Sequence, residues 1–367
     1  MQRQVRILAA LLAAQLFLVP ASAKASPAEA DVDGLAAYTS RYPFRGSTFD
    51  WHQSVNVLGL VKSSELTWNP VYTWLLRFNP RYYLTRDLYL RLKVGVDIEW
   101  TNADDTTRYR EPRLEDLWLD LVYGSLYREK HTGIVLTPSL RLIAPTSLNA
   151  RASSLYLGIG PGFSLRRSFD LPRGMAIELG YGFRYIKNLN HYSTVQNEAP
   201  TIASCGGAGG EGDCGQFLHT GARNASHELL NSVAVDWWAT RKLRIGVSAI
   251  FRNQLLYGLS EATTQVPGVG TIPATDPEHD TNSRASIWTL IEAGYQVHPL
   301  LGVTLAVSTL NSQLAPDGKY YAPFFNRNTE LTLSLEVPLD KIVAGIERRV
   351  RPLRTASQGA VQLTAKR

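Results

Sequence analysis

The sequence predicts an all-β fold: a transmembrane antiparallel β-barrel of about twelve strands. Three observations predict it. Strict apolar/polar alternation recurs along the chain, short and long connections take turns between the alternating stretches, and no apolar run after the amino terminus is long enough for a membrane helix. The clearest stretch is Leu88 to Trp100. Its even positions are Leu88, Leu90, Leu92, Val94, Val96, Ile98 and Trp100, and its odd positions are Tyr89, Arg91, Lys93, Gly95, Asp97 and Glu99. Successive side chains of a strand point to opposite faces, so one face is continuously apolar and the other charged, whereas a helix would smear the pattern around its circumference. A tilted strand needs about 9–11 residues to cross a bilayer core, which this stretch supplies.

Composition is compatible with that reading. The chain has 367 residues and a formal charge of +6, with a pI near 9.2 and a mean hydropathy of −0.13. Barrels alternate apolar and polar residues, so an unremarkable mean hydropathy is expected of them. The amino terminus reads as a secretory signal over 1–23. Arg3 and Arg6 precede the apolar run Ile7–Val19, Pro20 breaks it, and Ala21-Ser22-Ala23 is a small-x-small cleavage site. Residues 24–48 lack sustained alternation and read as an N-terminal periplasmic segment. Export permits a disulfide, and Cys205 and Cys214 flank a glycine-rich spacer that can close such a loop. With no nearby His pattern the pair is a poor zinc site.

The barrel strands are expected within 49–339. The first, 50–61, is weak (Val55, Val57). The second, 70–84, carries Tyr72, Trp74, Leu76, Phe78, Pro80, Tyr82 and Leu84 on one side. The third is 88–100. The fourth, 115–127, shows Leu117, Leu119, Leu121, Tyr123 and Tyr127; the fifth, 133–144, Ile134, Leu136, Leu140 and Leu142. The sixth, 154–166, shows Leu155, Leu157, Ile159, Phe163 and Leu165; the seventh, 174–187, Met175, Ile177, Leu179, Tyr181, Phe183 and Tyr185. The eighth, 227–240, shows Leu229, Val233, Val235 and Trp237; the ninth, 242–257, Leu243, Ile245, Val247, Ala249 and Phe251. The tenth is 284–297, with Ile287, Ile291, Tyr295 and Val297. The eleventh is 301–310, with Leu301, Val303, Leu305 and Val307. The twelfth is 328–339, with Leu331, Leu333, Leu335, Val337 and Leu339. Long connections fall at 101–114, 145–153, 188–226, 258–283 and 311–327, and short ones between them. Trp74, Tyr82, Trp100, Tyr123, Tyr127, Tyr185, Trp237, Tyr257 and Tyr295 gather near strand ends, as interfacial girdles do.

On these features the chain resembles Gram-negative outer-membrane β-barrel proteins as a general class, over about 48–339. The resemblance implies the outer membrane as location, with short turns on the periplasmic side and long loops outside. One feature departs from the class, whose last strand usually ends the chain on an aromatic residue. Here a basic C-terminal tail, 340–367, runs on through Arg348-Arg349-Val350-Arg351.

Parity and strand direction assign the inward face. Its cations are Arg77, Arg81, Arg91, Lys93, Arg141, Arg166, Arg184, Arg244 and Arg252; its anions are Asp97, Glu99, Asp116, Asp120, Glu178, Asp236, Glu292 and Glu336. The signs nearly balance. They read either as a salt-bridged network or as a pore lining that selects ions or anionic solutes. Gly158, Gly160 and Gly162 alternate on the sixth strand, and Gly180 and Gly182 on the seventh. Without a strand–turn–helix context they are no phosphate loop. They form a smooth inward groove, expected to receive part of the 188–226 loop.

The sequence points to a narrow, non-enzymatic channel for small hydrophilic or charged solutes, with outer-membrane lipid and small solutes as partners. A non-conducting scaffold of an envelope complex, meeting a periplasmic partner through the basic tail, is the alternative. A Ser/His hydrolase using His191-Tyr192-Ser193 or Ser226-His227 is weaker, because adjacent positions in sequence do not make a dyad. No cofactor, metal or nucleic-acid partner is expected.

Overall fold

The computed structural model describes residues 43–57, 71–101, 110–197, 218–258, 263–266, 270–273, 282–312, 321–326 and 328–346. The expected signal segment, 1–23, both cysteines and the tail beyond 346 lie outside these residues.

Twelve strands build the wall: β1 (Thr48–Asn56), β2 (Tyr72–Asn79, resuming at Arg81–Tyr83), β3 (Leu88–Glu99), β4 (Leu117–Tyr123), β5 (Val135–Ala144), β6 (Leu155–Asp170), β7 (Ala176–Asn190), β8 (Ala225–Trp238), β9 (Leu243–Leu256), β10 (Ser283–His298), β11 (Leu301–Ser312) and β12 (Thr329–Pro338). Each pairs antiparallel with the next. β12 pairs antiparallel with β1, from Thr48↔Pro338 to Asn56↔Glu330, which closes the barrel. Closure leaves no unpaired sheet edge, as a strand structure in lipid requires.

Local departures have local causes. Pro80 has no N–H to give to a ladder, and β2 breaks there. The fourth strand starts two residues later than the alternation predicts and ends at Tyr123; Tyr127–Arg128 forms a separate arm that pairs with Leu136 and Val135. Past Pro338, residues 339–346 are helical. The Leu339 N–H donates to the Ser47 carbonyl at 2.9 Å, and the Gly46 N–H donates to Asp340 Oδ2 at 2.8 Å. Both bonds tie the end of β12 to the start of β1.

The short connections are tight. In the β4–β5 connection, Glu129 accepts the Thr132 hydroxyl at 2.6 Å, the His131 N–H at 2.9 Å and the Thr132 N–H. These donors, the Thr132 hydroxyl first, hold its carboxyl down at about 2. A depressed carboxylate adds stability above its unfolded value and loses it as pH falls through the folded value. The amide signals of His131 and Thr132 are therefore expected to shift with a midpoint near 2, not near the usual value of about 4.3. Glu129→Gln should remove that transition; a midpoint near the usual value in the native protein would refute the arrangement.

A short described segment, 321–326, lies against the outside of the wall. Thr289, Thr309 and Thr329 sit in one row across β10, β11 and β12 and have the parity of Ile291, Leu305 and Leu333, which are exposed. Yet Thr289, Thr309, Thr329 and Asn311 are among the most buried polar side chains of the described residues. Residues 321–326 cover them. Thr289 Oγ1 donates to the Pro323 carbonyl, Thr309 Oγ1 donates to the Phe324 carbonyl at 3.1 Å, and Asn326 Nδ2 donates to Asn311 Oδ1 at 3.0 Å. Polar hydroxyls on this face would lack partners in hydrocarbon, and the loop backbone supplies them. Phe324 and Phe325 remain exposed on the outside of this cover.

Candidate functional site

The candidate site is the lumen. The outward face is identified by its exposure: Leu76 and Phe78 on β2, Leu140 and Leu142 on β5, Leu179 on β7, Val233 and Val235 on β8, Phe251 on β9, Ile291 on β10, Leu305 on β11 and Leu333 on β12 are exposed apolar residues. Soluble monomers rarely expose contiguous apolar patches beyond a few hundred Å²; here the band encircles a closed wall. Tyr82, Tyr123, Tyr127, Trp237 and Tyr295 are exposed at the short-turn ends of their strands. A second aromatic group meets edge to face on the outward face, with ring centroids 5.2 Å apart for Trp51–Trp74 and 4.6 Å for Trp74–Trp100.

The fold is that of a transmembrane β-barrel.

No protein-family model matches the chain, and no curated protein sequence matches it. Among solved structures it is similar to an outer membrane channel from Pseudomonas putida F1, with a TM-score of 0.44 at 11% identity over 80% of this chain and 96% of that one. The KdgM porin matches with a TM-score of 0.37 at 8% identity, over 79% and 98%. The NanC porin matches with 0.36 at 8% identity, over 80% and 98%. At these identities the likeness is one of fold.

Inside the barrel the charged residues form compact groups. Asp120 is the centre of one. It accepts Arg141 Nε at 2.6 Å and Nη2 at 2.9 Å, and Arg91 Nη2 at 2.6 Å. Glu115 is the centre of another, accepting Arg77 Nη2 at 2.9 Å and lying 3.3 Å from Lys93 Nζ. Arg244 lies 2.8 Å from Asp236 and also pairs with Glu292; Arg166 lies 3.7 Å from Glu178. Arg252 pairs with Glu228 at 2.7 Å, and Arg113 with Asp97 at 2.5 Å near the outer end. Glu99 is buried and accepts the Thr101 hydroxyl at 2.8 Å. Glu336 stands opposite Asp50 in the β1–β12 register. Asp116 behaves differently: it accepts the Ser147 N–H at 3.0 Å. Ser147 in turn caps the short outer helix α1 (Leu148–Ala152), accepting from the Ala150 N–H.

Two kinds of inward residue escape the parity reading of charges. Glu115 is one. It lies just outside the regular strand, where alternation has no meaning, and its carboxylate reaches across Gly95, where a Cβ would fall 2.0 Å from Glu115 Oε2. The other kind is apolar. Trp118, Ile143, Ile186, Leu230, Ile250, Trp288, Leu290 and Ala306 are inward by parity and pack into one buried cluster. They come from β4, β5 and β7–β11, so they meet across the lumen. Trp118 joins this layer to the charges: Lys93 Nζ lies 3.9 Å from its ring centroid and Arg141 Cζ 4.1 Å. The signal was present in the sequence, at the inward parity of the strands that carry the charges.

The glycine face is occupied by neighbours. A Cβ on Gly158 would fall 3.0 Å from Ile143 Cβ, one on Gly160 3.1 Å from Ile186 Cγ1, and one on Gly162 2.7 Å from the Phe183 carbonyl. On Gly182 it would meet Ser232 Oγ at 2.5 Å. Gly180 is looser, with Ala234 Cβ at 3.6 Å. Arg184 lies along this face, donating to the Gly160 carbonyl at 2.8 Å and to Ser139 Oγ at 3.0 Å. The described part of the long loop forms an outer hairpin, Thr194–Asn197 with Leu218–Arg223; residues 198–217 lie outside the described residues.

The Ser/His candidates take other partners. Tyr156 Oη and His191 Nδ1 are 2.6 Å apart, as are Tyr185 Oη and His227 Nδ1, while Ser226 donates to the Leu255 carbonyl at 3.0 Å.

Below the apolar layer the lumen opens. A cavity of about 320 Å³ is bounded by Arg81, Arg91, Arg166, Glu178, Arg184 and Arg244, among others. These residues lie toward the short-turn ends of their strands, apart from Arg184, which reaches in from the middle of β7.

Proposed function

We propose that this barrel is a narrow channel for small hydrophilic or charged solutes, constricted by the apolar layer around Trp118. The observation that carries the reading is the charged cavity on the periplasmic side of that layer. A wet, two-signed vestibule ending at a dry constriction is a common channel design, in which the constriction gates by dewetting. The inward Arg, Lys, Asp and Glu residues then line the path and set its selectivity. Twelve strands make a lumen between filled eight-stranded barrels and open sixteen-stranded porins, which suits ions and small solutes.

The apolar layer also supports a second reading, a non-conducting scaffold whose lumen is simply its core. Single-channel recording of the refolded mature protein in a planar bilayer separates the two. Discrete openings of small conductance are expected. Silence both in the intact protein and after deletion of 198–217 would favour the scaffold.

A further inference from the structure

The cavity below the apolar layer carries more positive than negative charge, and among the described residues two of its arginines make no direct ion pair. Arg91 pairs with Asp120, Arg244 with Asp236 and Glu292, and Arg166 with Glu178. Arg81 and Arg184 remain. Among the described residues neither has a carboxylate within ion-pair distance. Arg81 is 8% exposed, and its Nε is buried without a hydrogen-bond partner. Its guanidinium lies over Gly46, where a Cβ would come within 3.0 Å of Nη1, and 5.7 Å from the Tyr89 ring centroid. Arg184 spends its donors on two neutral acceptors, the Gly160 carbonyl and Ser139 Oγ. The acid nearest to it in the network, Asp120, is shared by Arg141 and Arg91.

A buried guanidinium left unpaired is costly unless something supplies the missing acceptor. Guanidinium groups match carboxylate and phosphate oxygens with paired N–H donors. The cavity, at about 320 Å³, is at the small end of ligand pockets, roughly 300–1,000 Å³. It is large enough for one small molecule.

We propose that Arg81 and Arg184 form a binding site for a small oxyanion-bearing solute, a carboxylate or a phosphate, held on the periplasmic side of the constriction. The proposal deepens the channel reading by naming the class of solute. Its binding needs only an open periplasmic end, so it is measured without conduction.

The test is isothermal titration of the refolded mature barrel in detergent, with citrate and separately with inorganic phosphate. Saturable binding of one citrate per barrel is expected. Arg81→Gln and Arg184→Gln should each weaken it about tenfold, the scale of a lost charge-assisted hydrogen bond. Arg81→Lys should keep part of the affinity, and Arg173→Gln on the exposed periplasmic turn should change nothing. Circular dichroism and heat-modified gel mobility establish that each variant has folded. Phosphate binding without citrate binding would support the site and assign it to phosphate-bearing solutes. Binding of neither anion by a folded barrel, or unchanged binding in the double variant, overturns the proposal. A barrel that conducts but binds neither anion loses the site and keeps the channel; one that binds but never conducts keeps the site and loses the channel.

Discussion

Asp120→Ala is expected to destabilise the barrel by about 3–5 kcal/mol, the range for removing one partner of a buried ion pair. Asp120 is 2% exposed and lies between two guanidiniums, 2.6 Å from Arg141 Nε and 2.6 Å from Arg91 Nη2. Without it Arg91 and Arg141 face each other with no counter-charge, and Arg184 adds a third cation nearby. Arg141 also lies over Trp118, so the loss should loosen the apolar layer. Denaturant unfolding in lipid vesicles reads the change. Asp120→Leu combined with Arg141→Met should recover part of the loss, because a hydrophobic replacement of both partners leaves one fewer uncompensated charge. A loss under about 1 kcal/mol, the scale of exposed pairs, would mean that lumen water screens the network and that it is not structural.

Trp118→Ala is expected to cost about 3 kcal/mol, at the low end for truncating a buried aromatic, because lumen water can enter the gap. Its larger effect should be on conduction. Trp118 is 5% exposed and contributes to the apolar cluster from one side of the lumen, while Leu230, Ile250, Trp288 and Leu290 contribute from the other. Removing the indole breaks the dry layer, and conductance should rise roughly twofold or more, as expected when a hydrophobic constriction is wetted. Trp118→Phe keeps an apolar ring there and should conduct like the native protein. Stability lost with conductance unchanged would place the constriction elsewhere and leave Trp118 a packing residue.

Most of the wall was legible in the chain, and the reason is physical. A strand has a side-chain period of two, and a bilayer forces every backbone donor and acceptor into a closed ladder. Alternation therefore gives strand, face and approximate length together, as at Leu88–Trp100, and closure demands a partner for the first and last strands. β1, weak by alternation, forms along its whole length against β12 and β2. Ladder pairing decides there what side-chain pattern does not.

The interior was legible only as a list. Parity placed Arg91, Asp120, Arg141 and Arg184 inward, but it carries no information on which of them meet. That depends on register and shear between neighbouring strands, which bring Arg91↔Asp120 and Asp120↔Arg141 opposite each other. The glycines show the same limit: parity gives their face but not their neighbours, and the space beside Gly158, Gly160 and Gly162 is taken by Ile143, Ile186 and Arg184 from the flanking strands. Thr289, Thr309 and Thr329 go further, since their outward parity predicts lipid contact and a loop more than ten residues away in sequence covers two of them with its carbonyls.

By itself, then, the sequence determined a twelve-strand barrel with one greasy and one polar face, because alternation and backbone satisfaction are local rules. Only the tertiary structure decided that the lumen is crossed by an apolar layer, that Glu115 joins Arg77 and Lys93, and that among the described residues Arg81 and Arg184 have no carboxylate within ion-pair distance. Those outcomes depend on which side chains the closed circumference brings face to face across the lumen.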